Sequence, residues 1–234
     1  MATVFPSDSL TALVTGANRG LGKRFAADLV ARGAKVYAAA RRPETVDIPG
    51  VTPLQLDITD PESIRRATEI ATDVNLVVNN AGVSTQSNLL TGAMDDIRLE
   101  METHYFGTLQ VIRAFAPVIE GNGGGAILNV LSVLAWFHAP QFGAYAAAKA
   151  AGWAMTDALR EELAPRGIHV AALHVGFMDT DMAVFVPADQ KLDPAVVAAQ
   201  ALDGLLAGEP EVLADELTRT VRAQLSEPPR VATL

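Results

Sequence analysis

Ser132, Tyr145 and Lys149 lie within LSVLAWFHAPQFGAYAAAKAA, the serine thirteen residues before the tyrosine and the lysine four after it. On a helix, residues four apart share a face, so the Lys149 ammonium is expected beside the Tyr145 phenol. A neighbouring positive charge favours phenolate, which predicts a Tyr145 pKa below its ordinary value of about 10. Such a phenol can give or take a proton at a carbonyl or alcohol oxygen. A surface pair on an alanine-rich helix would show the same spacing, so the chemical reading needs an independent signal.

That signal lies near the N-terminus, in LTALVTGANRGLGKRFAADLVARGAKVYAAARRPE. Leu10 to Val14 reads as a short buried strand ending in Thr15, Gly20 to Arg32 as an apolar-periodic helix and Ala34 to Ala40 as a second strand. Between strand and helix stand Gly16, Gly20 and Gly22. Glycine serves where the backbone turns sharply and where a pyrophosphate must approach the main chain. The helix start offers free N–H groups and a positive dipole end to phosphate. The spacing is G-x-x-x-G-x-G, and Gly22 is followed by Lys23 and Arg24, so the Walker arrangement of an ATPase is absent.

Taken together, TGANRGLG (15–22), LDITD (56–60), NNAG (79–82), the Ser132/Tyr145/Lys149 set and HVGFMDT (174–180) resemble the short-chain dehydrogenase/reductase family, in family order over residues 10 to about 180. The resemblance implies an α/β chain: a single-domain Rossmann fold, its doubly wound parallel sheet of about seven strands covered by helices on both faces. It implies hydride transfer between a nicotinamide cofactor and a carbonyl or alcohol substrate. Ser132 would bind the substrate oxygen, Tyr145 would transfer the proton, and Lys149 would lower the tyrosine pKa and hold the nicotinamide ribose. Gly16, Asn18, Arg19, Gly20, Leu21 and Gly22 would surround the phosphates. Asp57 and Ile58 would meet the adenine, and Asn79, Ala81 and Gly82 the adenosine side. Gly176, Met178 and Thr180 would close on the nicotinamide, although Val175 stands where the family usually has proline. Asparagine and glycine at a strand end are also ordinary turn residues, so Asn79 and Asn80 have an equally good structural reading.

Charge predicts which nicotinamide cofactor is used. An acid at the end of the second strand binds a ribose 2′-OH, whereas arginine accommodates a 2′-phosphate. Ala40 occupies that place, Arg41 and Arg42 follow at once, and Arg19 sits in the glycine loop. A planar guanidinium suits phosphate through bidentate hydrogen bonds, so NADP(H) is expected over NAD(H). Solvated surface arginines are the competing reading.

One member of the pattern departs. The N-x-x-G spacing before Gly107 puts His104 where many relatives carry an asparagine that orders a relay water. Imidazole can hold a water too, and participation would add an ionisation near pH 6 to 7; a packed helix histidine with no chemistry is the equal alternative. Trp136, Phe137, His138 and Phe142 are expected to border the substrate, with Met178, Met182, Phe185 and Val186 in a lid. That lining suits an aldehyde or ketone with hydrophobic bulk, and core packing is an equally good reading of each residue taken singly.

The elements that must position these groups follow from alternating strands and helices. Strands are expected at 52–56, 76–79, 126–131 and 169–174, with a further short one within EVLADELTRTVRAQL. Helices are expected from Asp60-Pro61 to about 71, over 94–119, 145–166, 194–207 and 215–226. Strand alternating with helix gives right-handed crossovers and a parallel sheet. The 234 residues read as one domain, with 1–9 and 227–234 as flexible termini. Half the residues are hydrophobic, and the net charge of −9 argues against a nucleic-acid partner. Without cysteine there is no disulfide or thiolate metal site, and no metal is expected. No apolar run reaches the length of a membrane span and Met1 to Ser9 lacks a signal-peptide pattern, so a cytoplasmic protein without a membrane partner is expected. Ala146, Ala147, Ala148, Ala150, Ala151 and Gly152 permit close helix approach, which predicts a homodimer or homotetramer. A catalytically silent cofactor-binding regulator is a second functional reading, and a same-fold epimerase or dehydratase a third.

Overall fold

Tight strand-to-helix turns and capped helix starts build the molecule. The computed structural model describes residues 10–227; the termini expected to be flexible, apart from Glu227, lie outside them. Seven strands form one parallel sheet: β1 Thr11–Thr15, β2 Lys35–Ala40, β3 Thr52–Gln55, β4 Leu76–Asn79, β5 Gly125–Val130, β6 Ile168–His174 and β7 Glu211–Leu213. Their order is β3-β2-β1-β4-β5-β6-β7, so the winding reverses between β1 and β4. Ligands of such sheets bind at that reversal, beyond the carboxyl ends of the strands.

The helices are α1 Gly20–Ala31, α2 Pro61–Ile70, α3 Met94–Met101, α4 Thr108–Gly121, α5 Gly143–Leu163, α6 Pro194–Leu206 and α7 Glu216–Ala223. Alternation along the strands sorts two cores. Ala12 and Val14 of β1 face Phe25, Leu29, Val197 and Leu202 of α1 and α6, while Leu13 faces Ile112, Phe115, Ile119 and Leu159 of α4 and α5. The doubly wound α/β sheet expected from the sequence is therefore present. Asp60 accepts from the Glu62 amide at 3.0 Å, and Asp193 from the Ala195 amide at 2.8 Å, each just before a proline in the first turn. Such caps satisfy orphan amides and fix where α2 and α6 begin.

The long helix expected over 94–119 differs. It is interrupted by a π turn, Glu102–Gly107, between α3 and α4. A π turn accommodates one extra residue and is often found at functional sites. Gly107 permits it, because a Cβ there would stand 2.9 Å from the Ile58 carbonyl oxygen. α5 starts two residues earlier than expected, directly after a 3-10 turn at Pro140–Phe142. It ends at Leu163 and passes into a 3-10 turn at Ala164–Arg166.

Candidate active site

A cleft of about 910 Å³ runs along the carboxyl ends of the strands. At one end β1 turns into α1. Gly16 sits at φ +65°, a left-handed conformation, and a Cβ there would meet the Ala81 Cα at 2.9 Å. Gly22 is a packing residue: an added Cβ would lie 2.3 Å from the Gly16 carbonyl oxygen. No side chain caps α1, whose first-turn residues Gly20 and Leu21 line the cleft. Uncapped N–H groups and the helix dipole make this turn a seat for an anion.

Asn18, Arg19, Arg41, Arg42, Asp57, Ile58, Ala81 and Gly82 all line the cleft, as do Gly176, Met178 and Thr180. Arg41 and Arg42 are exposed, and among the described residues neither guanidinium has an ion-pair partner. Arg19 is engaged across the cleft with Asp181 at 3.1 Å, both side chains largely exposed. Exposed pairs of this kind are worth little and are readily exchanged for another anion. Asn18 donates to the Thr45 hydroxyl at 3.1 Å, tying the glycine loop to the turn after β2. The Asp57 carboxylate accepts from the amide and hydroxyl of Thr59, at 2.9 and 2.7 Å.

Two expected cofactor residues are placed otherwise. Gly22 does not line the cleft, for the packing reason given above. Asn79 is buried inside the sheet and donates to the Asn129 side chain at 2.9 Å, while Asn129 donates to Thr156 at 3.0 Å. Its neighbour Asn80 lines the cleft and donates to the carbonyl oxygens of Thr15 and Gly16 at 2.9 and 3.3 Å, bracing the glycine turn. Gly176 reaches the cleft, but its amide already donates to Asp215 at 2.7 Å.

Ser132, Tyr145, Lys149 and His104 converge at the other end of the cleft. Ser132 follows β5 and begins a 3-10 turn, its hydroxyl accepting from the Leu134 amide at 3.1 Å. Lys149 is buried and donates to the Val130 carbonyl at 2.8 Å, with Nζ 5.5 Å from the Tyr145 ring centre. The shared helix face expected for Tyr145 and Lys149 is observed.

The expected electrostatics are not. Burial pushes the Tyr145 phenol up, the Glu100 carboxylate adds to that push, and a hydrogen bond from Ser132 opposes it. Lys149, with Nζ 5.5 Å from the ring centre, does not offset that burial, and burial brings its own ammonium down to about 8. His104 is also corrected: burial, with Lys149 nearby, pushes its pKa below the usual imidazole value, against the opposing pull of Glu100 and Val83. It is neutral at pH 7, and the ionisation expected near pH 6 to 7 moves to lower pH. Its ring packs edge-on to Tyr145 with centres 5.0 Å apart.

The sequence reading missed Glu100, wholly buried four residues before His104. That spacing was a legible signal, since an acid four residues before a histidine shares its helix face. It also missed Asp215, which holds Gly176, and Leu217 of α7, which lines the cleft. His174 lies behind Ser132 and is held down to about 3, chiefly by burial. Its Nδ1 donates to the Ser132 carbonyl at 3.3 Å, and its ring stacks on Trp136 at 3.8 Å. The substrate end is apolar: Phe142, Phe177 and Phe185 stand with ring centres 5.7 to 6.4 Å apart, beside Leu134, Phe137 and Met182.

Comparison with known proteins agrees with this arrangement. A model of the short chain dehydrogenase family matches residues 10–191. A short chain dehydrogenase from Burkholderia cenocepacia J2315, solved in complex with NADP, is 38% identical, with a TM-score of 0.91 and 95% of each chain covered. The 3-oxoacyl-(acyl-carrier-protein) reductase FabG of Salmonella typhimurium is 35% identical over 212 residues, 86% of this chain and 85% of that protein. A dehydrogenase/reductase SDR family protein 7-like of Drosophila melanogaster is 28% identical over 235 residues, 88% of this chain and 72% of that protein. The chain belongs to the short-chain dehydrogenase family of oxidoreductases. Among the described residues no helix is long and apolar enough to cross a membrane.

Proposed function

We propose that the chain is an NADP(H)-dependent oxidoreductase acting on an apolar carbonyl or alcohol, with Tyr145 as general acid and base. The observation that supports this best is the convergence of Ser132, Tyr145 and Lys149 at one end of a cleft whose other end carries two arginines with no ion-pair partner among the described residues. The residues present suit the cofactor: an uncapped helix start for the pyrophosphate, and Arg41 and Arg42 for a 2′-phosphate. The NADP complex of the Burkholderia relative agrees with that choice. When bound, the nicotinamide supplies or takes the hydride.

The Ser132 hydroxyl fixes the substrate oxygen, and Tyr145 donates to that oxygen during reduction or accepts from it during oxidation. Lys149 keeps a positive charge at the site and would hold the cofactor's ribose. A high phenol pKa suits reduction, because Tyr145 then holds the proton it must give throughout the neutral range. Phe142, Phe177 and Phe185 favour a carbonyl compound with hydrophobic bulk.

The test follows nicotinamide absorbance with NADPH across aldehydes, ketones and quinones, in wild type and Tyr145→Phe. Loss of the positioned acid is expected to lower kcat by roughly 10²- to 10⁴-fold while NADPH affinity stays within about threefold, under 1 kcal/mol. Tight NADPH binding without turnover of any carbonyl, or full activity in Tyr145→Phe, would refute the reading.

A further inference from the structure

Glu100 is a carboxylate in an unexpected place. It lies on the inward face of α3 with no exposed surface. One oxygen, Oε1, accepts from the amide and the hydroxyl of Thr85, at 2.6 and 3.0 Å. The other, Oε2, has no hydrogen bond and lies 3.2 Å from His104 Nε2. That nitrogen is 2.8 Å from the Val83 carbonyl oxygen. The Val83 amide also approaches this nitrogen, at 3.4 Å, but the carbonyl contact is the shorter and a carbonyl oxygen only accepts, so Nε2 bears the hydrogen and directs it to Val83. The hydrogen thus passes Glu100 sidelong, and the imidazole does not neutralise it.

A buried carboxylate with one bare oxygen requires a compensating charge. The titratable groups facing Glu100 are His104 on its own helical stretch and Tyr145 and Lys149 from α5, the helix packed against it. Asp96, on the same helix, is engaged by the Ser87 hydroxyl at 3.2 Å. Of these groups only Lys149 carries a full positive charge at neutral pH.

We propose that Glu100 is a positioning residue of the reaction centre, the buried counter-charge that holds Lys149 as a cation and Tyr145 as a protonated phenol. The role rests on the reductase reading above. His104 separates the carboxylate from the phenol and transmits its field without carrying charge itself. The directions of the pKa shifts agree. Glu100 opposes the deprotonation of Lys149 and raises Tyr145. Burial pushes the Glu100 carboxyl up, yet the nearness of His104 and the bonds from Thr85 leave it below its usual value.

Two variants separate charge from shape. Glu100→Gln keeps an acceptor for Thr85 and removes only the charge, whereas Thr85→Val loosens the strap and keeps the charge. For reduction, activity falls as pH rises through the ionisation of the Tyr145–Lys149 pair. Removing the negative charge is expected to move this alkaline limb of kcat down by about one pH unit in Glu100→Gln. Thr85→Val is expected to leave it in place. A Glu100→Gln profile that superposes on wild type, or an equal displacement in Thr85→Val, overturns the proposal.

Absence of carbonyl turnover in the wild type would instead count against the reductase reading. The phenol is then titrated directly by ultraviolet difference against Tyr145→Phe, and an ionisation that does not fall in Glu100→Gln overturns the proposal. Should Glu100→Gln not fold by circular dichroism, the coupling is read from its partner. Lys149→Met is expected to raise the titration of Glu100 by one unit or more in carboxyl-carbon spectra of glutamate-labelled protein. An unmoved titration there also overturns it.

Discussion

Arg41 and Arg42 project from the end of β2 with no carboxylate among the described residues to satisfy them, in a chain of net charge −9, so any ligand phosphate within reach is their natural partner. Hydrogen bonds to charged groups are worth about 1.5–3 kcal/mol each, so Arg41→Ala with Arg42→Ala is expected to weaken NADPH binding by roughly a hundredfold or more. NADH binding should hardly change, because no phosphate reaches that corner, and fluorescence titration with both cofactors measures the difference. Equal weakening of the two would show that the pair serves the fold. Residue identity and order revealed Ser132, Tyr145 and Lys149, and the structure brings all three to one place. The sign of the tyrosine shift was not legible. It depends on desolvation and on Glu100, and neither follows from the four-residue interval between Tyr145 and Lys149.

Elements deliver these side chains, and their ends matter most. Asp215 does two jobs at the start of α7. Its Oδ1 accepts from the amide and hydroxyl of Thr218, at 2.7 and 2.8 Å, and its Oδ2 takes the Gly176 amide at 2.7 Å. α7 is thereby fastened to the loop that follows β6. Loss of a helix cap costs about 1 kcal/mol, and an amide left unbonded costs about 1–3 kcal/mol more. Asp215→Ala should therefore lower stability in urea by roughly 2–4 kcal/mol and raise KM for the cofactor through a loosened Gly176. Asp215→Asn, which retains one carbonyl oxygen, should restore the cap without restoring both attachments. A cofactor KM equal to wild type in the alanine variant would detach α7 from the site. Apolar periodicity and Asp-Pro starts made most elements legible, and the short strand expected within EVLADELTRTVRAQL is found at Glu211–Leu213. The π turn was not, because buried Thr103, His104, Gly107 and Thr108 keep helical spacing through it. The close approach of Gly107 to the Ile58 carbonyl at the end of that turn was likewise visible only in the structure.

At the scale of the molecule, two buried bases couple the site to overall stability. Burial holds His174 down to about 3, from 6.5. The native state then binds fewer protons than the unfolded chain between those values. Its contribution is complete above pH 6.5 and is lost as pH falls towards 3. Lys149, brought down to about 8 from 10.5, has the same sign in the alkaline range: its contribution is complete above 10.5 and lost as pH falls through 8. Urea midpoints of the wild type should therefore drop steeply from about pH 6 to pH 4. His174→Asn retains a donor for the Ser132 carbonyl but cannot titrate, so its midpoints should drop less steeply. Parallel slopes would remove His174 from the account. The overall fold was the most legible layer, because alternation of strand and helix constrains a parallel sheet more tightly than any single residue constrains a site.

The corner behind Ser132 has an optical consequence. Both tryptophans of the chain, Trp136 and Trp153, meet there edge to face with centres 5.5 Å apart. His174 is stacked against Trp136, and the Arg222 guanidinium lies 5.3 Å from its ring centre. Indole emission from the whole protein therefore originates at one wall, and a protonated imidazole in contact with it quenches. The molecule carries its own unlabelled reporter, one whose brightness follows the state of His174 and the seating of α7 while the cleft in front is filled or emptied.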